Sequence, residues 1–324
     1  MNILVTSASR KVNLVQTFKS ALEPVGGKII AIDSDPLSPA LYFAHKFYIV
    51  PPSTDPNFLE IVLTICKSEN VVAIIPTRDE DLLFFSERKS MLASENIVAV
   101  VSDKESIELC QDKRRFHHFC VQNAIPVPKL LDTKASFEMQ FPVFVKPVIG
   151  KGGLGAQLVE TQADLENRLN ECPDLMVQEF ISADEYTVDV FVDFSGEILS
   201  AIPRKRMRIS SGESCVTRTE YSEAIISETC KLVSRLNLIG HITVQCFKKD
   251  DRILFIEVNP RFGGAAHLGF VAGANTPNYI VQLLSGKKVD STIGVFKDNL
   301  TLLRFSSDIF LDAKMALWGD STLD

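Results

Sequence analysis

Several large protein classes are excluded by what this sequence does not contain. Its seven cysteines, at 66, 110, 120, 172, 215, 230 and 246, are odd in number and include no CxxC pair. Neither a disulfide framework nor a cysteine zinc site is indicated, and reduced cytoplasmic thiols are the expectation. No apolar run reaches the roughly 18–20 residues of a membrane helix, so no membrane partner is expected. The opening MNILVTSASR enters a strand-like run without a basic region and long apolar stretch, so no signal peptide is read. Basic residues are the minority, 34 Lys and Arg against 41 Asp and Glu, for a net charge of −7. A nucleic-acid partner would call for a basic surface and is not expected. No internal repeat or low-complexity segment is evident.

What is present is ordinary globular composition, 46% hydrophobic and 23% charged, over 324 residues. That length suits two or three domains. Residues 1–100 alternate short apolar runs with amphipathic stretches. Ile3–Val5, Ile29–Ile32, Val71–Ile75 and Ile97–Val100 read as buried strands, and Phe58, Ile61, Val62 and Ile65 share one helical face. Such alternation predicts a parallel sheet covered on both faces, with ligands beyond the carboxyl ends of its strands. Those ends carry Thr6–Arg10, Asp33–Asp35 and Pro76–Glu80. The first loop is not GxGxxG, which leaves a dinucleotide site unsupported. Asp33 suits either a ribose contact or plain Asp-Pro turn chemistry.

Residues 102–125 read as helical, and Pro126-Val127-Pro128 ends the helix. From 140 the apolar runs alternate with polar residues, as in antiparallel sheets with one open face. Strands are expected over 142–146, 156–160, 175–179, 186–193, 198–203, 240–248 and 252–259. Helices are expected over 161–170, 221–236 and 276–284. Leu300–Leu303 and Phe305 suggest one more strand packing back on the core.

Three runs carry chemistry. Phe141–Pro147 is a strand ending in Lys146, followed by Gly150-Lys151-Gly152-Gly153-Leu154-Gly155. Such a glycine loop either folds over a polyphosphate, where backbone N–H groups approach unhindered, or makes a flexible hairpin turn. It is not a Walker A loop, since no GK[ST] opens a helix. The second run, Ile253–Arg261, reads as a strand with Glu257 and Asn259 on one face, roughly 6.5–7 Å apart at Cα. Their oxygens, with Gln245 on the preceding strand, suit Mg²⁺, which takes hard oxygen ligands and phosphates. Arg261 beside them suits a transferring phosphoryl group. The third, Met176–Ile181 and then Glu185–Val190, suits an adenine hinge and a ribose acceptor, or an unremarkable pair of strands.

These runs occur in the order found in the ATP-grasp superfamily, and the chain resembles its carbamoyl-phosphate-synthetase-large-chain-like branch over about residues 1–285. The resemblance implies an α/β plus α+β protein, a Rossmann-like pre-ATP-grasp domain followed by a two-lobed ATP-grasp fold. The boundaries it implies are 1–105 for the first domain, 106–300 for the second, with lobes of about 125–185 and 186–300, and 301–324 for a C-terminal tail. It also implies roles. Lys113, Lys146, Gly152 and Gly153 match phosphate binders. Gln178, Glu179, Phe180 and Ile181 match the adenine hinge, and Glu185 the ribose ligand. Gln245, Glu257 and Asn259 match ligands of Mg²⁺ or Mn²⁺, and Arg261 the phosphate-stabilising arginine. Arg206, within Arg204-Lys205-Arg206 and Arg208, stands where such enzymes hold the acidic end of a substrate; those cations otherwise form a solvated strand edge. His267 suits either substrate contact or a structural place.

The sequence departs from the branch in having one grasp unit, and Ser210-Ser211-Gly212-Glu213-Ser214 where that family has a histidine before a Gly-acidic-Ser run. The implied function is a cytoplasmic ATP-dependent ligase with small-molecule carboxylate and amine substrates, a homodimer being compatible with it. The alternatives are a carbamoyl-phosphate-synthase-like fragment or subunit, and a non-catalytic ATP-binding protein of the same fold. A Rossmann-type oxidoreductase is disfavoured by the missing GxGxxG.

Overall fold

The computed structural model describes residues 1–133, 139–150, 152–210 and 212–318. The chain opens with β1 (Asn2–Thr6), α1 (Val12–Leu22), β2 (Lys28–Asp33), β3 (Lys46–Ile49), α2 (Phe58–Ser68), β4 (Val71–Ile75), α3 (Asp79–Ser86), α4 (Lys89–Ser94) and β5 (Val98–Ala99). The strands form one parallel sheet in the order β3-β2-β1-β4-β5. Ile3, Leu4, Val5, Ile29, Ile30 and Ile32 are fully buried, as strands covered on both faces require. One strand was not expected: β3 is largely exposed at the sheet edge, so no continuous apolar run marks it. Another is shorter than its apolar run, because after Val100 N–H bonds the Ile74 carbonyl the chain leaves the ladder and Val101 N–H turns back to the Ala99 carbonyl.

The stretch expected to be one helix is two, α5 (Lys104–Gln111) and α6 (Lys113–Gln122). Asp112 breaks them: its backbone is extended, and its carboxylate accepts from Arg114 and Arg115 N–H, both at 2.9 Å. That is N-cap chemistry, which satisfies amides that a new helix would otherwise leave orphaned. A three-stranded antiparallel sheet follows, β7-β6-β8, from β6 (Val143–Pro147), β7 (Gln157–Val159) and β8 (Leu175–Glu179), with α7 (Gln162–Glu171) against it.

The second antiparallel sheet has six strands in the order β13-β12-β9-β10-β11-β14. These are β9 (Asp184–Val192), β10 (Ile198–Ser210), β11 (Glu213–Thr219), β12 (Gly240–Lys249), β13 (Arg252–Asn259) and β14 (Thr301–Leu303), with α8 (Glu223–Leu236), α9 (His267–Ala272) and α10 (Thr276–Leu284). Pro203 lies inside β10, where a missing N–H would normally break a ladder. It sits at the point where β11 stops, since that pairing begins at Arg204↔Thr219. β10 itself runs on to Ser210, well past the expected end at 203, so the cationic run lies within a strand, with Arg204 buried, Lys205 and Arg206 half-buried and Arg208 exposed. Residues 301–303 extend the large sheet through β11. Phe305, expected to pack back on the core, is instead 88% exposed. Beyond it, Leu311 and Leu317 pair across a short turn, Trp318 N–H bonds the Phe310 carbonyl, and the Trp318 side chain is exposed. Residues 319–324 of the expected tail lie outside the described residues.

The N-terminal sheet and the large sheet share a core. One cluster of buried side chains runs from Ile3, Val5 and Phe18 through Phe191, Leu199, Phe262, Phe270 and Ile280. Phe18 and Phe262 meet edge-on with centroids 6.0 Å apart, and α1 packs against α10. Among the described residues no helix is long and apolar enough to cross a membrane.

Candidate functional site

A cavity of about 540 Å³ opens between the two antiparallel sheets. The strand period of two explains its lining. In β6, Val143 and Val145 point into a small core with Val159, Leu165 and Val177, while Phe144 and Lys146 face the cavity. Lys113, Gly150, Gly152 and Gly153 complete that wall. Gln178, Glu179, Phe180 and Ile181, from the end of β8 and the residues after it, form the next. The large sheet contributes Glu185, Arg206, Gln245, Glu257 and Asn259, and Arg261 follows on the loop after β13.

At the basic end, Lys113 Nζ donates to the Gly150 carbonyl at 2.8 Å, and its own N–H bonds the Val148 carbonyl. Lys146 is 6% exposed. Burial lowers its pKa to about 8, with Lys113 adding to that and Glu257 and Glu185 opposing it. Gly152, Gly153 and Gly155 all have positive φ, which sidechain-bearing residues adopt only with strain. Lys151 lies outside the described residues, as does Ser211 on the facing β10–β11 turn. The two turns touch: a Cβ on Gly212 would fall 2.5 Å from the Gly152 carbonyl carbon and oxygen.

Gln245 and Glu257 are direct partners across β12 and β13. Gln245 Nε2 and Asn259 Nδ2 each donate to Glu257 Oε1 at 3.0 Å. Among the described residues no three His, Cys, Asp or Glu side chains gather to hold a metal, so this site offers one carboxylate and two amides.

Two arginines flank that cluster. Arg206 pairs with Glu185, donates to Gln245 Oε1 at 2.9 Å and to Ser214 Oγ at 3.1 Å, and reaches the Gly212 carbonyl at 2.8 Å. Burial pushes the Glu185 carboxyl pKa up, although Arg206 pulls the other way. Arg261 donates to both carboxylate oxygens of Asp79, Nε at 2.6 Å and Nη2 at 3.2 Å. Desolvation lowers the guanidinium pKa, but the Asp79 bonds outweigh it and the net direction is up. This partner, 182 residues away in sequence, was missed; the signal for it was only that Asp79 follows the carboxyl end of β4.

The cationic run divides by strand face. Lys205 pairs with Asp184 toward solvent. Arg204 is 3% exposed and bonds Asp189, Nε to Oδ2 at 2.7 Å. His241 Nε2 stands 3.6 Å from Asp189 Oδ1, and its ring stacks on Phe262 at 4.4 Å between centroids. Burial pushes the Asp189 carboxyl up, but Arg204 and His241 outweigh it and hold it at about 2. Nothing in the sequence foretold this buried trio. Asp33 accepts from Ser9 N–H and Asp35 N–H, bracing its own loop. His267 is half-buried beside Phe270.

Comparison with known proteins places this architecture. The family model described as "PylC-like, N-terminal domain" matches residues 3–101, and that described as "ATP-grasp in the biosynthetic pathway with Ter operon" matches 171–302. A formate-dependent phosphoribosylglycinamide formyltransferase of Prochlorococcus marinus is 25% identical over 73% of this chain and 64% of its own. A carbamoyl phosphate synthase large chain of Pseudothermotoga lettingae is 26% identical over 84% of this chain, which spans 26% of that protein. The crystal structure of a biotin carboxylase β-γ-ATP complex from Campylobacter jejuni superposes with a TM-score of 0.73 at 19% identity, over 93% of this chain and 74% of that one, a likeness of fold. The first model covers the α/β domain and the second, an ATP-grasp family, covers β8 and the strands of the large sheet, so over residues 171–302 this chain matches the ATP-grasp superfamily.

Proposed function

We propose that this protein is an ATP-dependent ligase that activates a carboxylate as an acyl phosphate for attack by an amine or another nucleophile, releasing ADP and phosphate. The observation that carries the reading is the meeting, in one cavity, of Lys113 and Lys146 from one side with Gln245, Glu257, Asn259 and Arg261 from the other. Few folds need desolvated cations and an oxygen cluster together, and phosphoryl transfer does. The formyltransferase relative is named for its dependence on formate, itself a carboxylate.

In this reading residues 106–300 form the ATP-grasp unit after a first domain of 1–105, and 301–303 belong with its large sheet. Gln178–Ile181 frame the adenine, and Glu185 takes the ribose once Arg206 releases it. Lys113, Lys146 and the Gly152–Gly153 backbone hold the phosphates, and that loop excludes water from the acyl phosphate. Arg261 and Arg206 offset charge on the transferring group. The donor chemistry fits a hard divalent cation: Glu257 supplies one carboxylate, and the amides of Gln245 and Asn259 present oxygen when turned about. Bound there, Mg²⁺ or Mn²⁺ would offset phosphate charge. Small carboxylates and amines are the proposed substrates, the cytoplasm the proposed location, and a homodimer the proposed assembly.

The test is a screen of ADP release with MgATP against paired pools of carboxylates and amines. Turnover with one pair is expected, falling at least about 100-fold in Glu257→Ala. Near-normal turnover in that variant would remove the metal assignment.

A further inference from the structure

The geometry points to Asp79 as a positioning residue, one that aims Arg261 at the transferring phosphoryl group and keeps it off the carboxylate of Glu257. This inference rests on the ligase reading above and adds to it a residue from outside the grasp unit.

Asp79 is the first residue of α3, and its loop is fixed on every side. Thr77 Oγ1 bonds the Thr6 carbonyl at 2.7 Å, and Asp81 accepts from Thr6 and Ser7 hydroxyls at 2.6 and 2.7 Å. Gln111 Nε2 holds the Asp79 carbonyl at 2.8 Å. The carboxylate therefore projects from a braced turn, and both its oxygens go to Arg261. On the other side the Arg261 backbone is pinned as well: its N–H bonds the Asn259 carbonyl at 2.8 Å, and its carbonyl accepts from Thr243 Oγ1 at 3.0 Å. Both side chains are about one-fifth exposed.

A guanidinium has a fixed fork of five donors. Here Asp79 takes the Nε and Nη2 edge, with Asn259 Oδ1 as a longer second acceptor for Nη2. Among the described residues Nη1 has the Phe262 carbonyl at 3.5 Å and no other partner. Asp79 thus spends one edge and leaves the other to the cavity that Arg261 lines. Beyond Asp79 the same Nη2 reaches Asn259 Oδ1 at 3.5 Å, and Asn259 Nδ2 in turn donates to Glu257 Oε1 at 3.0 Å, so Glu257 lies one side chain away from Arg261. Freed from Asp79, the arginine would turn toward Glu257 and compete with any cation for that carboxylate. Bidentate arginine–carboxylate pairing fixes direction as well as charge, so an amide in place of the carboxylate does not substitute for it.

The experiment uses the full chain as wild type, Asp79→Asn, Asp79→Glu and Glu257→Ala, with ADP binding measured by calorimetry without metal and with Mn²⁺, and Mn²⁺ occupancy followed by electron paramagnetic resonance. Asp79→Asn is expected to weaken Mn²⁺ binding in the presence of ADP about tenfold, with metal-free ADP affinity changed less than about twofold. Asp79→Glu, which keeps the charge, should recover part of the loss. Unchanged Mn²⁺ affinity in Asp79→Asn overturns the inference, as does equal weakening with and without metal, or a glutamate variant as weak as the asparagine one. If Asp79→Asn does not fold, Gln111→Ala, which frees the Asp79 carbonyl and keeps both charges, is read instead; a several-fold loss of Mn²⁺ affinity supports the role and no loss overturns it. A wild type whose ADP binding ignores Mn²⁺, or a Glu257→Ala that binds Mn²⁺ normally, removes the metal reading itself. A loss in Glu257→Ala beside an unchanged Asp79→Asn removes only the role of Asp79.

Discussion

Lys146 faces a cavity but sits almost out of water, and that gives it two pH dependences of opposite sign. Its pKa is about 8 in the fold, against 10.5 for a free lysine. Between those values the unfolded chain holds the extra proton, so this group makes the fold more stable as pH rises from 8 toward 10.5. In the proposed function Lys146 holds phosphate as the ammonium, and on that reading ADP affinity should fall about tenfold from pH 7 to pH 9 by calorimetry. Lys146→Met should bind weakly and show no such fall. Asp189 tests the opposite case, a buried ion pair. Asp189→Ala would leave the Arg204 charge buried without its partner, and a loss of about 3–5 kcal/mol is expected in urea unfolding. These two residues also mark how far single positions were legible. Lys146 stood out because a strand end and a glycine loop frame it. Glu257 and Asn259 stood out because a period of two puts them on one face. Asp189 and His241 read as ordinary strand residues, and only the stacking of β10, β9 and β12 side by side brings them to Arg204.

Elements were legible where one physical signal dominated. β1, β2 and β4 are continuous apolar runs, buried on both faces. β3 and β11, neither of which was expected, are short or polar and lie at or near sheet edges, where half the strand faces water and composition says little, whereas the short apolar run at 300–303 did mark β14. The split between α5 and α6 was hidden because no Gly or Pro separates them; Asp112 is a favoured N-cap residue, but only its extended backbone angles show that it caps a second helix. The β10–β11 turn offers the clearest test at this scale. Gly212 has φ +74°, and an added Cβ would meet the Gly152 backbone rather than a yielding side chain. Gly212→Ala should therefore hold the glycine loop away from the large sheet. The expected result is ADP release that outruns ligated product, measured as a ratio of the two, with thermal stability lowered by no more than about 1–2 kcal/mol.

Across the whole molecule, the sheets are distinct but the cores are not. Phe18 of α1 packs on Phe262, and α1 lies along α10, so the first hundred residues bury part of their apolar surface against the last third of the chain. Residues 1–105 expressed alone should show no cooperative thermal transition by circular dichroism, and mixing with 106–324 should restore one. A period of apolar residues predicts the face of a helix that is buried, but not which distant element buries it, and that is why the join was not legible. The exposed arm beyond β14 has a practical consequence of its own. It carries the only tryptophan, Trp318, with its side chain 73% exposed and its N–H tied to Phe310. Tryptophan emission, excited beyond the tyrosine band, therefore reports the arm alone. A melt followed by tryptophan emission would trace the arm's detachment while the sheets stay dark to it, and nucleotide entering the cavity would leave the emission unmoved. An indole introduced as Phe180→Trp, at the cavity wall, is the reporter that would see it.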